Sequence, residues 1–247
     1  MEKLRSSWKR LKGSGCAGVM VRLAMVNNDI GSAQLLLGLV KEYDNPDAKP
    51  NSDFTLREVL RDSDLRKGLQ IYAFRMLIGH LREGLKVVRD IVTLERDNNR
   101  EVCGYLRRLS QDGVQSYDKL KSLSDNFKQP GNNFSKLVTS VRDALGFHYS
   151  DGDKTIERTI ANLAEAEVPS VNSIVGTKDA RTSRFPIADV IAVNAIAKYI
   201  WEVEKSDRTD TEEALNTAME WCGKQTSLLY GFSREMCSIY FGSHYAI

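Results

Sequence analysis

The chain has 247 residues, of which 42% are hydrophobic and 28% are charged, and these proportions exclude a disordered, collagen-like or silk-like chain. The 35 Lys and Arg residues exceed the 33 Asp and Glu residues by only two. Bulk charge therefore does not predict nucleic-acid binding, and an anionic partner would have to be bound by a local basic patch.

The sequence predicts a soluble, cytoplasmic protein with no membrane contact. The apolar stretch 30–40 is too short to cross a bilayer, and the stretch 185–201 is interrupted by Asp189, Asn194 and Lys198. The basic N-terminus is not followed by an apolar segment with a small-residue cleavage site, so we expect no secretory signal.

The distribution of cysteine and histidine predicts neither a disulfide framework nor a metal site. The four cysteines form no C-x-x-C pair, which favours free, buried thiols. His80, His148 and His244 lie far apart and outside any H-E-x-x-H pattern. A Walker A loop and a G-x-S-x-G elbow are also missing from the sequence, and its G-x-G-x-x-G match, residues 13–18, lies in a chain where strand alternation is scarce. We therefore expect no metal and no cofactor, and kinase, dinucleotide-binding and hydrolase functions are disfavoured.

Apolar residues recur at helical spacing, and the five prolines fall between these segments. In chain order, the first predicted helix covers residues 19–42. A second covers 55–67, beginning at the capping-box pattern Thr55-x-x-Glu58, and a third covers 69–94. Further helices are predicted at about 100–126, 133–146, 153–166, 187–204 and 210–241.

The predicted fold is all-α, a compact bundle of about eight helices in a single domain over residues 1–247. Strand alternation is scarce, and no repeat of 20 to 50 residues supports a solenoid. Residues 1–15 form a basic N-terminal arm in this prediction, and the turn-rich residues 168–186 form a long internal loop. The aromatic residues near the C-terminus are expected in the core, with a dimer surface as the alternative.

One short motif combines residue types that are used in catalysis. In the segment VRDALGFHY, residues 141–149, Arg142 is followed by the polar Asp143 and, after five intervening residues, by His148. This pattern resembles the signature of the HEPN superfamily, whose members are compact helical bundles. The resemblance implies a metal-independent endoribonuclease site, formed where two protomers bring their two motifs to one cleft.

The resemblance implies a role for each residue of the motif. A histidine such as His148 exchanges protons near neutral pH with the ribose 2′-OH and the 5′-oxygen leaving group. Arg142 presents a permanent charge and a fork of donors to the scissile phosphate. Asp143 would orient these groups by a charge-assisted hydrogen bond, and Tyr149 would contact substrate. RNA would be cut to 2′,3′-cyclic phosphate ends, and DNA would resist.

The spacing of the motif requires a helix end. On a straight helix, residues six positions apart lie roughly 120° apart around the axis. Gly146 can adopt the left-handed conformation that ends a helix, and this would let the chain fold back toward Arg142. A site shared by two protomers relaxes the requirement further, because Arg142 of one chain can approach His148 of the other.

A second match to the bare pattern occurs at Arg75 and His80, with four intervening residues. It lies inside the predicted helix 69–94 and carries the apolar Met76 in place of the polar residue. His80 falls on the apolar stripe of this helix, so we expect a hydrogen-bonded core histidine.

Basic residues predict where RNA would bind. Lys178, Arg181 and Arg184 in the long loop are candidate phosphate contacts, and the N-terminal arm surrounds Trp8 with basic residues. The alternative for both segments is a solvated charged surface.

The sequence thus predicts a homodimeric, HEPN-like endoribonuclease that cleaves single-stranded or loop RNA. Its expected role is that of a toxin or antiviral effector, with an antitoxin or regulatory protein as a further partner. The alternative is a non-catalytic helical dimer that binds nucleotide, RNA or a protein partner.

Overall fold

The computed structural model describes residues 14–44, 63–126 and 211–244, with the single residues 138, 165, 193, 194 and 197. Every regular element in these residues is an α-helix, which confirms the predicted all-α class. The helices are α1 (Ala17–Asp44), α2 (Ser63–Arg96), α3 (Arg100–Leu106), α4 (Gln111–Asn126) and α5 (Thr211–His244). The total of about eight helices stays a prediction, because five are seen in the described part.

The chain divides into two compact units. Unit 1 comprises Met1–Gly31, His80–Asn132 and Cys222–Ile247, and unit 2 comprises Ser32–Gly79 and Asn133–Trp221. Each boundary between described residues falls inside one of the long helices α1, α2 and α5. The single domain expected over residues 1–247 stays a prediction.

The core of unit 1 is built from apolar stripes on α1, α2 and α5, with further buried side chains from α3 and α4. On α1 the buried positions of this unit are three or four residues apart, and on α2 and α5 adjacent buried residues widen the same kind of stripe, as expected for one face of an α-helix. Burial of each large apolar side chain contributes about 1.5–3 kcal/mol. The largest fully buried members are Met20, Leu23, Ile30, Leu81, Ile91, Leu120, Leu229, Phe232 and Tyr240.

Aromatic side chains join the C-terminal helix to α3 and α4 within unit 1. The ring of Phe232 stacks on Tyr117 with 5.2 Å between centroids. The ring of Tyr240 meets Tyr105 edge-on at 5.6 Å. Such pairs add about 0.5–1.5 kcal/mol beyond the area that they bury. The predicted core role is therefore confirmed for Phe232 and Tyr240.

The described core of unit 2 combines α1, α2 and α5 residues with two isolated helical residues. Phe74, Leu77 and Ile78 of α2 are buried here. Its remaining buried hydrophobic residues are Ala33, Val40, Ile71, Ala73, Val138, Ala197 and Ala218.

The junction between α2 and α3 follows from two consecutive asparagines. Asn98 has a φ of 56°, a left-handed conformation that asparagine tolerates better than most residues. The Asn98 amide donates to Glu95 O at 3.0 Å and the Asn99 amide donates to Leu94 O at 2.9 Å, which is the Schellman pattern of a helix end. Asn99 Oδ1 then accepts from the Val102 amide at 3.1 Å, so the same turn caps α3.

The single helix predicted over 100–126 is wrong, because residues 107–110 separate α3 from α4. Ser110 caps α4: its Oγ accepts from the Gly113 amide at 3.1 Å. Glu235 of α5 holds this cap by accepting from the Ser110 amide at 2.5 Å and from Ser110 Oγ at 3.0 Å. A Cβ at Gly113 would overlap Glu235 Oε2, so this close approach needs glycine.

The other predicted boundaries have mixed outcomes. The helices predicted over 19–42 and 69–94 are confirmed, each within a longer helix, and the helix predicted over 210–241 is confirmed from residue 211 onward. The break predicted between residues 67 and 69 is wrong, because α2 runs through both positions. Three further predictions lie outside the described residues: the capping box at Thr55 and Glu58, the loop 168–186, and most of the arm 1–15. The helices predicted over 133–146, 153–166 and 187–204 also lie outside them, apart from the five single helical residues.

Helix α1 is longer and more apolar than the stretch 30–40 considered in the sequence. Its segment Ala17–Val40, 24 residues near the N-terminus, is long and apolar enough to cross a membrane, and 28% of its most apolar window is buried. Core helices of soluble proteins and signal sequences near an N-terminus can meet the same criteria of length and hydropathy. The helix therefore assigns no compartment, and the cytoplasmic location stays a prediction.

Candidate functional site

The residues of the predicted ribonuclease site lie outside the described residues. Their arrangement, including a helix end at Gly146, therefore stays a prediction. The same holds for the candidate phosphate contacts of the long loop. The residues concerned are Arg142, Asp143, His148 and Tyr149 of the motif and Lys178, Arg181 and Arg184 of the loop.

The second motif match, Arg75 and His80, lies within the continuous helix α2. Residues five positions apart on a helix are about 140° apart around its axis, so the two side chains leave α2 in different directions. The His80 side chain is 14% exposed, and its Nδ1 lies 3.5 Å from Asp29 Oδ2. Burial lowers the pKa of His80 despite the opposing charges of Asp29 and Glu83. This environment agrees with the predicted packing role.

Three of the four cysteines are buried free thiols, as predicted. Burial, reinforced by Glu101, raises the pKa of Cys16 to about 11. Ser14 Oγ donates to Glu101 Oε2 at 2.8 Å, and the Cys16 thiol lies 3.4 Å from the same oxygen. Burial also raises the pKa of Cys222 and of Cys237 to about 12. Because the thiolate is the nucleophile, these protonated thiols are suited to packing.

A carboxylate of α2 is bound by two donors of α4. Lys121 Nζ and Tyr117 OH approach Glu95 Oε2 at 2.7 and 2.9 Å. Burial is the largest single influence and would raise the pKa of Glu95, but the hydrogen bonds and the Lys121 charge outweigh it and hold that pKa below its usual value. All three side chains have hydrogen-bond partners within the protein, so this cluster stabilises the packing of α2 against α4.

A cleft of about 710 Å³ lies between α4 and α5 in unit 1. Ser116 and Lys119 are three residues apart on α4, and Lys224 and Leu228 are four apart on α5, so each pair lies on one face of its helix. The cleft is largely open to solvent, and apolar atoms form most of its exposed lining even though five of the seven lining residues are polar or basic. The lining residues are Ser116, Lys119, Gly223, Lys224, Gln225, Ser227 and Leu228.

The electrostatic character of this cleft is positive. Its lining contains two ammonium groups and no carboxylate. Lys119 and Lys224 are exposed and form no hydrogen bond or ion pair with any described residue. By contrast, Lys121 pairs with Glu95, and Lys86 pairs with Glu83 at 2.8 Å. The two lysines therefore give the lining of the cleft a net positive charge.

Metal chemistry has no candidate group in the described part of the chain. No cluster of three or more His, Cys, Asp and Glu side chains is placed there to hold an ion.

The sequence interpretation did not single out Lys119 and Lys224. Lys119 stands beside aspartate and near serine and glutamine on α4, and Lys224 is followed by glutamine, threonine and serine on α5, neighbours that are typical of a solvated face. Only the packing of α4 against α5 brings the two lysines to one cleft.

Comparison with known proteins gives no relative for this chain: no family model, no curated protein and no solved structure matches it. The resemblance to the HEPN superfamily therefore depends on the motif at 142–148 and on the all-α class.

Proposed function

We propose that this chain is a metal-independent endoribonuclease of the HEPN type, acting as a homodimer on single-stranded or loop RNA. The observation that carries the proposal is the Arg142-Asp143-x₄-His148 motif in a chain whose described elements are all helices. A toxin or antiviral role, controlled by an antitoxin or regulatory protein, is part of the same proposal.

The proposed reaction is an internal transesterification. His148 removes the proton from a ribose 2′-OH, and the 2′-oxygen forms a bond to the adjacent phosphorus. The bond from phosphorus to the 5′-oxygen breaks, and the partner's His148 returns a proton to that oxygen. Arg142 stabilises the charge that develops on the phosphate oxygens. Asp143 orients Arg142 or the imidazole, and Tyr149 contacts the RNA.

A non-catalytic helical module that binds a nucleotide or another anionic partner is the second candidate. The specific observation in its favour is the basic cleft around Lys119 and Lys224, which lies on α4 and α5 and outside the motif. In this case the protein would bind phosphorylated ligands without cutting RNA.

The experiment incubates purified wild type, Arg142→Ala and His148→Ala with single-stranded RNA in EDTA. We expect cleavage by wild type, with 2′,3′-cyclic phosphate ends, and a loss of roughly 10²–10⁴-fold in each variant. His244→Ala is the matched control, since His244 has no arginine at the motif spacing, and it should cleave like wild type. Circular dichroism verifies that every variant is folded.

Two results would refute the ribonuclease. One is equal cleavage by wild type and His148→Ala, which indicates a contaminating nuclease. The other is the absence of cleavage by folded, dimeric wild type over a panel of varied RNAs. An oligonucleotide with a single 2′-deoxy substitution at the mapped scissile nucleotide should resist, because it lacks the nucleophile.

A further inference from the structure

The cleft between α4 and α5 is distinct from the motif on which the ribonuclease proposal rests. We propose that this cleft binds the polyphosphate group of a small phosphorylated ligand, in the class of nucleoside di- and triphosphates. The inference depends on unit 1 alone and stands whether or not Arg142 and His148 cut RNA.

Charge is the first reason for this ligand class. Lys119 and Lys224 place two ammonium groups at the cleft that form no ion pair with a described residue, and no carboxylate is among the lining residues. The lysines with nearby acids, Lys86 and Lys121, are paired within the protein. A ligand that neutralises the cleft must carry at least two negative charges close together, as a polyphosphate does. Lysine is a common phosphate ligand because its ammonium acts as a point charge with three donors.

The second reason is that the two lysines share a cleft with other hydrogen-bond donors, since an unpaired positive charge alone does not indicate a binding site. Arg100 and Arg107 are also exposed and without partners among the described residues, yet neither lines the cleft. The hydroxyls of Ser116 and Ser227 and the amide of Gln225 add donors to the two ammonium groups.

Size is the third reason. The volume of about 710 Å³ falls within the range of roughly 300–1,000 Å³ that small-molecule sites occupy. Space is open beside the backbone at Gly223, where an added Cβ would meet no atom within 4 Å. Leu228 gives the lining one apolar contact, which suits the non-phosphate part of a nucleotide better than a bare inorganic ion.

Isothermal titration of the full chain at low ionic strength tests this proposal, with ADP, ATP and inorganic tripolyphosphate as the probes. We expect saturable binding that weakens when salt is raised. The double variant Lys119→Gln/Lys224→Gln should bind roughly tenfold more weakly, the loss expected for two exposed charge pairs. The matched control Arg100→Gln/Arg107→Gln removes the same charge from outside the cleft and should bind within about twofold of wild type.

A second variant adds a negative charge to the cleft instead of removing the positive charges. Ser227→Glu leaves both lysines in place and adds a carboxylate to the cleft, so it should abolish binding while the exposed position preserves the fold. Tighter binding of ADP or ATP than of tripolyphosphate supports the nucleotide source. Equal affinities for all three probes leave only a polyphosphate site and overturn the nucleotide assignment.

Three results overturn the site itself. The first is that wild type binds none of the probes. The second is that the lysine double variant and the arginine double variant lose the same amount of affinity. The third is that Ser227→Glu binds as tightly as wild type. Because titration measures binding and not RNA cleavage, each outcome is separable from success or failure of the ribonuclease proposal.

Discussion

Replacing Gly84 with alanine tests how closely α1, α2 and α5 pack in unit 1. Gly84 is buried on α2. A Cβ there would overlap Leu229 Cδ2 of α5 and lie 3.0 Å from Val26 Cγ1 of α1. Leu229 is 0% exposed and Val26 is 7% exposed, so neither neighbour can move into solvent. We expect Gly84→Ala to destabilise the protein.

Two opposing contributions set the size of this effect. Alanine is favoured over glycine in a helix by about 1 kcal/mol, whereas an extra methyl group in a close-packed core costs about 1–3 kcal/mol. The overlap with a fully buried leucine places the cost at the upper end, so the net destabilisation is about 2 kcal/mol. For a chain of this length, the melting temperature should fall by about 4–8 °C.

Urea denaturation followed by circular dichroism measures the effect, with Gly231→Ala as the matched control. Gly231 is an exposed position on α5, and a Cβ there would meet no atom within 4 Å. This control should gain up to about 1 kcal/mol from helix propensity alone. Leu229→Ala makes room for the new methyl group, so the two substitutions should be non-additive by about 0.5–3 kcal/mol. If Gly84→Ala is as stable as Gly231→Ala, the close packing described here is wrong.

Two further predictions concern carboxylates. Because the folded protein lowers the pKa of Glu95, its stabilising effect is present above the unfolded pKa and is lost as pH falls through the folded one. Glu95→Gln should lower the free energy of unfolding by roughly 0.5–1 kcal/mol at pH 7. Below pH about 4.5 the stability of this variant should depend less steeply on pH than that of wild type. An unchanged pH dependence of the free energy of unfolding would contradict the role of Glu95. Glu235→Ala should cost about 0.5–2 kcal/mol and speed amide exchange in the first turn of α4, unlike the exposed-site control Glu220→Ala; equal exchange would refute the cap held by Glu235.

Helices could be predicted from the sequence where apolar residues repeat at helical spacing within one segment of the chain. The stripe through Ala73, Leu77, Leu81, Val88, Ile91 and Leu94 predicted the helix over 69–94, and all of these side chains except that of Leu94 are buried. Its end was also readable, because two consecutive asparagines suit both a left-handed turn and a helix cap.

Features that depend on distant partners were not predictable in the same way. The break before α4 was missed because residues 107–110 include good helix formers, and the residue that fixes the Ser110 cap is Glu235 on another helix. The cleft was missed for the same reason, since Lys119 and Lys224 are ordinary surface lysines until α4 and α5 pack. Arg142 and His148 were proposed from a local pattern, and their role stays a prediction.

The contribution of α5 to unit 1 has a consequence for synthesis of the chain. Helices α1 to α4 are complete once residue 126 has been made, but Leu229, Phe232 and Tyr240, which complete their core, come from α5. Contacts between such distant segments form slowly because a long loop must first be closed. Until α5 has been synthesised, the faces of α1 and α2 that contact these three side chains therefore lack this part of their core. Completion of the core of unit 1 thus waits for a segment far along the chain from α1 to α4.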